Sequence, residues 1–395
     1  MIMMHQNHYL MIKWKHHLFM KILIINENRH NSIGGIERYT NQLIELFTSL
    51  NHEVAEYAFN LNPEKIDFFP LNQKAQALNV VHRQNPFSWW KKKQIVKAAT
   101  KEIASFYDQY DLIINQTANV KWPKKIYRSS KWVYVQHFNP DFYKHKFMFV
   151  KWLSPIIYLG MELVGIKNPF QQFQNLIFFS EADATVLNKK KVQHWIIPLA
   201  SYSKAEIEAN QLMAQNQQKV KNQRMVYFGR IENQQKQIKN LIKLAIKNDW
   251  PIDFYGSGQL KHFLNTPDLY KGIVEQENVA AVLENYSSAI LLSRYEGFPF
   301  FIVEALSLGV PIIISNFCPA SALLAANKGF LAKTKKEQKQ INDYWNQLIN
   351  DPQMFTNLQN NCFNFALEHL TIEKWQANWK AVLQHFEKQK FKTEQ

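Results

Sequence analysis

Cysteine is nearly absent: only Cys318 and Cys362 occur in 395 residues. Two thiols cannot build a disulfide framework, so a reducing, cytoplasmic setting is expected. Long apolar runs are missing too. The stretch from Phe147 to Ile166 is broken by Lys151, Pro155 and Glu162, which argues against a bilayer-spanning helix. The first 19 residues, MIMMHQNHYLMIKWKHHLF, lack both a long apolar core and a small-residue cleavage site, so they do not read as a signal peptide. They are expected to be an N-terminal extension, either a loose basic arm or an upstream start, before a strand beginning at Met20. No repeat of solenoid length occurs.

What is present is an ordinary globular composition, 46% hydrophobic and 20% charged, in a chain long enough for two domains. The formal net charge is +15, and it is unevenly spread. Residues 1–200 carry 25 Lys and Arg against 14 Asp and Glu, whereas residues 201–395 carry 22 against 18. Between Arg83 and Lys151 there are 14 basic and 4 acidic residues. The first half therefore faces something negative, either nucleic acid or an anionic membrane surface. Phe87-Ser88-Trp89-Trp90-Lys91-Lys92-Lys93 opens a basic amphipathic stretch reaching about Lys101. Aromatic rings beside lysines suit a membrane surface, with Trp89, Trp90, Lys91, Lys92 and Lys93 in contact. A solvated helix with buried tryptophans is the plainer alternative. No recognition helix, zinc finger or RNA-binding motif is seen, so nucleic acid is not an expected partner.

Short apolar runs alternate with amphipathic ones. KILIIN (21–26), HEVAEYAF (52–59), DLIINQ (111–116), KWVYVQH (131–137), LIFFSE (176–181) and HWIIPLA (194–200) read as strands. A helix is predicted through IERYTNQLIELFTSLN, after the turn at Gly34-Gly35. Residues 201–223 read as a polar linker with some helical character. The pattern then restarts with RMVYFGRI, PIDFYGSG, AILLSR and VPIIIS. The fold class is thus α/β, with two doubly wound, Rossmann-like domains over residues 20–200 and 224–371 facing across a cleft.

The most informative phrase is SRYEGFPFFIVEALSLGVPIIIS (293–315). A strand ends near Arg294, a turn carries Glu296-Gly297-Phe298-Pro299, and a helix follows through Glu304. The unpaired N–H groups at such a helix start can bind hydroxyls or phosphate, and Glu304 can accept bonds from paired hydroxyls such as those of a ribose. Alone, two glutamates eight positions apart are more simply surface acids. Their placement between two buried strands makes the functional reading the stronger one. In FGRIENQQKQIKNLIKLA (228–245), Arg230 and Lys236 can converge on a diphosphate, one as a planar fork and one as a point charge. Each alone is equally a solvated helix start.

These phrases resemble the retaining glycosyltransferases of family 4, which have the GT-B fold and a signature of two glutamates separated by seven residues. The resemblance runs over nearly the whole chain from Met20. It implies that Glu296 contacts the donor sugar, that Glu304 holds the nucleotide's ribose, and that Arg230 and Lys236 neutralise the leaving diphosphate, with Lys239 as the fallback for the lysine. Gly34 and Gly35 match a glycine pair whose backbone approaches the donor phosphate, and His137 matches a histidine near the donor sugar. A lone histidine after a strand is more often structural, and Asn139 and Asp141 are open to the same reading. Gly256 and Gly258 match a loop beside the nucleotide, although any tight turn needs such residues. The next segment, IVEQENVAAVLENYSSA, lacks the usual glycine after its strand. IEKWQANWKAVLQHFEK, within the terminal segment 372–395, matches a long final helix packing back across both domains.

The implied reaction transfers a hexose-type sugar, from a UDP-sugar by expectation, with no cofactor and no metal; no Asp-x-Asp occurs. The expected acceptor is a lipid-linked or other saccharide used in surface polysaccharide, with the enzyme peripheral to the inner face of the membrane. A protein acceptor, or a catalytically silent GT-B binding partner, are the alternatives.

Overall fold

The computed structural model describes residues 19–30, 34–59, 72–78, 89–117, 120, 122–139, 172–185, 192–216, 222–258, 269–334 and 337–394. Thirteen strands among them form two sheets, and among the described residues every strand pairing within them is parallel. The first sheet contains β1 (Lys21–Asn26), β2 (Glu53–Ala58), β3 (Gln76–Ala77), β4 (Leu112–Asn115), β5 (Trp132–Val135), β6 (Asn175–Phe178) and β7 (Gln193–Ile196), in the order β3-β2-β1-β4-β5-β6-β7. The second contains β8 (Asn222–Phe228), β9 (Ile252–Tyr255), β10 (Tyr270–Gly272), β11 (Tyr286–Leu291), β12 (Ile312–Ser315) and β13 (Gly329–Ala332), in the order β10-β9-β8-β11-β12-β13.

The central strands form where the sequence has continuous apolar runs, because a parallel strand covered by helices on both faces has no wet side. Ile22 to Ile25 in β1 and Ile312 to Ile314 in β12 are all fully buried. Strands β3, β10 and β13 were not foreseen. Each lies at a sheet edge, has one neighbour, and is mostly half-buried or exposed, so no apolar run announces it.

Within the expected linker, Lys204–Asn216 is a helix that packs on the helix Pro352–His369 and buries Ile207. The final helix, Ile372–Glu394, begins where the Ile372 N–H donates to the Tyr202 carbonyl at 3.0 Å. Trp375, Trp379, Val382, Leu383 and Phe386 recur at helical spacing and are buried. This stripe returns the chain to the first domain: Trp379 Nε1 donates to Tyr39 Oη at 3.0 Å, and Lys390 Nζ reaches Asp111 Oδ2 at 3.0 Å. Among the described residues no helix is long and apolar enough to cross a membrane. Strand order reverses between β1 and β4 in one sheet and between β8 and β11 in the other, and ligands in such sheets bind beyond the strand ends at these points.

Candidate active site

Both reversal points open onto one cleft of about 510 Å³. The loop after β1 and the helix Gly35–Ser49 form one wall; the loops after β8, β9 and β11 form the other.

The second wall is organised by Glu232. Its carboxylate accepts from the main-chain N–H groups of Gln234, Gln235 and Lys236, at 2.5 to 3.1 Å, and so bends the loop after β8 over the cleft. That bend delivers Lys236 Nζ to Glu296 Oε1 at 2.6 Å, and Gln235 Nε2 to Glu296 Oε2 at 3.0 Å. Glu296 is buried and its loop is pinned by its own N–H donating to the Phe317 carbonyl at 3.0 Å. Arg230 stands exposed beside this pair and donates from Nη2 to Gln235 Oε1 at 2.7 Å. Arg230, Gln235, Lys236 and Glu296 are therefore one hydrogen-bonded chain. The sequence reading placed Lys236 on a diphosphate; here its ammonium sits on Glu296. Lys236 lines the cleft, whereas Lys239, on the exposed side of the helix Ile238–Asn248, does not.

Glu304 lies on the helix Phe300–Ser307 and is 5% exposed. Its Oε1 accepts from Arg38 Nη1 at 2.6 Å and from Gln276 Nε2 at 2.9 Å. Arg38 belongs to the opposite wall, one turn into the helix that Gly34 caps, and its guanidinium also lies 4.5 Å from the centre of the Phe300 ring. A buried carboxylate bonded to an arginine across the cleft ties the two domains together. Two further contacts do the same. Asn139 Nδ2 donates to the Phe317 carbonyl at 2.8 Å. A Cβ on Gly297 would stand 2.0 Å from the His137 carbonyl oxygen, so only glycine lets the turn after Glu296 dock on the first domain. Asn139 thus bridges the domains, and Asp141 lies outside the described residues.

His137 follows β5 and lines the cleft. Its ring packs edgewise on Tyr39 and Phe179, and its Nε2 bonds to Gln116 Oε1 at 2.7 Å. Burial pulls its pKa down to about 3, so the imidazole is neutral at physiological pH. Gly34 and Gly35 line the cleft; a Cβ on Gly35 would meet the Phe300 ring at an ordinary 3.5 Å. Phe298 is buried against Phe179, and Pro299 caps the helix that carries Glu304.

The Gly256-Ser257-Gly258 turn has a packing role. A Cβ on Gly256 would lie 1.9 Å from the Gly229 carbonyl oxygen, and one on Gly258 2.4 Å from that of Ile231. Gly256 and Ser257 line the cleft and Gly258 does not. The glycine that looked missing from the next segment is Gly272, which ends β10 with φ +93°. Its carbonyl accepts from the Gly256 N–H at 2.8 Å. Ile273, Val274 and Gln276 follow it into the cleft.

Sequence reasoning missed Arg38, Glu232, Gln235 and Gln276. Arg38 carried a usable signal, a cation one turn after the glycine pair; the three others stand in polar stretches without one. Trp89, Trp90, Lys91, Lys92 and Lys93 open the helix Trp89–Phe106, and Phe87 and Ser88 lie outside the described residues. Among the described residues no three His, Cys, Asp or Glu side chains are grouped to hold a metal ion.

Residues 208–365 match the family described as glycosyl transferases group 1. An uncharacterized glycosyltransferase of Haemophilus influenzae is 28% identical over 144 residues, covering 34% of this chain and 40% of that protein. The match thus spans well under half of the relative's length. Among solved structures, sucrose-phosphate synthase from Thermosynechococcus elongatus superposes with a TM-score of 0.68 at 16% identity, over 93% of this chain and 98% of that one. WaaG, a glycosyltransferase involved in lipopolysaccharide biosynthesis, gives 0.61 at 11% identity, over 91% and 98%. Anabaena HepE, in complex with UDP and glucose, gives 0.60 at 17%, over 92% and 99%. These likenesses define the architecture: two Rossmann-like lobes in the GT-B arrangement, as expected.

Proposed function

We propose that this protein is a retaining, metal-independent glycosyltransferase that moves a hexose-type sugar from a UDP-sugar to a lipid-linked saccharide at an anionic membrane surface. The observation that carries the reading is the convergence of Glu296, with Lys236 and Gln235, and of Glu304, with Arg38, on one cleft at both reversal points. In this reading Glu296 accepts from sugar hydroxyls and Glu304 shares its carboxylate between Arg38 and the ribose diol. The bond between the anomeric carbon and the diphosphate breaks, and the acceptor oxygen bonds to that carbon on the same face. The acceptor's proton passes to a leaving phosphate oxygen. Arg230, Lys236 and the N–H groups opening the helices Gly35–Ser49 and Phe300–Ser307 stabilise the charge that develops. The cross-domain contacts keep water out of the cleft during this step. The UDP expectation is supported by the HepE complex and the lipid-linked acceptor by the WaaG likeness. Cytoplasmic placement at the membrane's inner face is supported by the basic first half.

Nucleotide release from a panel of UDP-, GDP- and ADP-sugars tests the reaction, with turnover expected for a UDP-sugar. No turnover with any donor, together with full cellular function of Glu296→Ala, would point to a silent GT-B binding protein. Extraction after labelled-sugar incubation tests the acceptor: label in the lipid phase is expected, and label confined to protein excludes the lipid-linked acceptor.

A further inference from the structure

Behind His137, at the reversal point between β1 and β4, runs a line of buried polar side chains. Glu56 in β2 is 2% exposed and accepts three hydrogen bonds. They come from the His30 main-chain N–H at 2.9 Å, His30 Nδ1 at 2.7 Å and Asn26 Nδ2 at 2.9 Å. His30 Nε2 accepts from the Asn72 N–H at 2.9 Å, so the proton of that ring is on Nδ1. Because a carboxylate only accepts, Asn26 turns its NH₂ toward Glu56 and its Oδ1 the other way. Oδ1 then receives Gln116 Nε2 at 2.9 Å. Gln116 Nε2 also donates to Thr40 Oγ1 at 2.9 Å, while the Thr40 hydroxyl donates to the Ile36 carbonyl at 2.8 Å. Gln116 is left with Oε1 toward His137, and an oxygen there requires His137 to donate from Nε2.

We propose that Glu56 is a positioning residue for His137: acting through Asn26 and Gln116, it fixes the proton on Nε2 and leaves Nδ1 as an acceptor for a hydroxyl of the donor sugar. The sugar part of this inference rests on the proposed glycosyltransferase activity; the proton relay does not. Nδ1 makes no hydrogen bond among the described residues, and His137 lines the cleft. The lowered pKa of His137 agrees with a ring that stays neutral and keeps this acceptor.

The test is a long-range ¹H–¹⁵N spectrum of the full chain labelled with ¹⁵N-histidine, alongside donor kinetics. Wild type is expected to show His137 with a pyridine-type Nδ1 and a pyrrole-type Nε2. Glu56→Gln supplies an amide that can also donate, so part of the population should move its proton to Nδ1. Asn26→Leu cuts the line while leaving Glu56 its two bonds from His30; the Gln116 amide is then held by Thr40 Oγ1 alone, and a smaller part of the population should move its proton to Nδ1. Both variants should raise the donor KM about tenfold with a smaller change in kcat, as for one lost hydrogen bond. If Glu56→Gln fails to fold, Asn26→Leu and the wild-type spectrum decide. A wild-type ring protonated on Nδ1, or a folded variant that keeps only Nε2–H, overturns the relay. A shifted tautomer with an unchanged donor KM overturns the sugar contact. A shifted tautomer in a protein that turns over no nucleotide-sugar overturns the glycosyltransferase reading and leaves the relay standing.

Discussion

The two walls of the cleft are built on different principles. The wall from the second sheet is ionic and, around Glu296, complete in itself: Glu232 shapes a loop, the loop delivers Lys236 and Gln235, and both bind Glu296. The wall from the first sheet is mostly uncharged, with Glu27 and Glu37 lining it beside the neutral groups. Its histidine hangs on a line of amides, and its cation, Arg38, bonds to Glu304 on the opposite side. Under the proposed reading the self-contained ionic wall holds the nucleotide, and the neutral wall acts through its contacts across the cleft. The family match falls on residues 208–365, entirely within the half that carries the self-contained wall.

The largest expected effect separates the ionic wall from everything else. Glu296→Ala removes the acceptor of both Lys236 and Gln235 and leaves Lys236, with a side chain only 12% exposed, without its carboxylate. Nucleotide release per enzyme should fall by roughly 10²–10³-fold, the scale of a lost charged contact in a preorganised site. Denaturant unfolding should report a loss of about 3 kcal/mol, because breaking one side of a buried pair strands the other. A variant with full turnover would remove Glu296 from the proposed donor site. Next in size is the surface of the first domain. Replacing Lys91, Lys92 and Lys93 together by Gln should weaken binding to anionic vesicles about 100-fold, at about 1 kcal/mol per lysine near the surface. Unchanged sedimentation with vesicles would remove the helix Trp89–Phe106 from membrane contact.

The same contrast explains what could be read in advance. Central strands such as KILIIN were legible because burial on both faces leaves a continuous apolar run, and edge strands such as Gln76–Ala77 leave none. Glu296 was legible as part of a strand–turn–helix phrase. Gln235 was not, since nothing in NQQKQ distinguishes it from Gln234 or Gln237 until the Glu232 carboxylate selects it. Arg38 and Glu304 are 266 positions apart, and only the docking of two separately folded sheets makes them partners. Glu56, Asn26 and Gln116 looked like unremarkable strand residues, because a hydrogen-bond line across neighbouring strands depends on register, which the sequence does not state.

Arg38→Met sharpens the division between walls. Arg38 bonds to Glu304 across the cleft, so its loss should lower kcat/KM about tenfold while UDP affinity stays near wild type. Small-angle scattering should show the unliganded variant expanded relative to wild type, as one of the cross-domain bonds is gone. An equal loss of UDP affinity would mean that Arg38 already acts on the nucleotide, and the first wall would then be ionic as well.

The smallest effect bears on the neutral wall. Burial lowers the His137 pKa from 6.5 to about 3. Between those values the unfolded chain binds a proton that the folded protein does not. The contribution is therefore fully present above pH 6.5 and is lost as pH falls toward 3. Its slope is at most about 1.4 kcal/mol per pH unit, reduced because the half-buried ring retains some contact with water. Asp183 works the other way, since burial raises its pKa from 3.8 to about 6 and its contribution is lost as pH rises through that value. The two partly cancel between pH 4 and 6 in wild type, so a single pH–stability curve cannot expose either. His137→Gln removes one and keeps the other. Denaturant unfolding at pH 7 and pH 5 should then show a smaller acid loss for the variant than for wild type. An identical loss would mean that His137 protonates in the folded state near its ordinary value, and a cation would then stand where the neutral wall requires none.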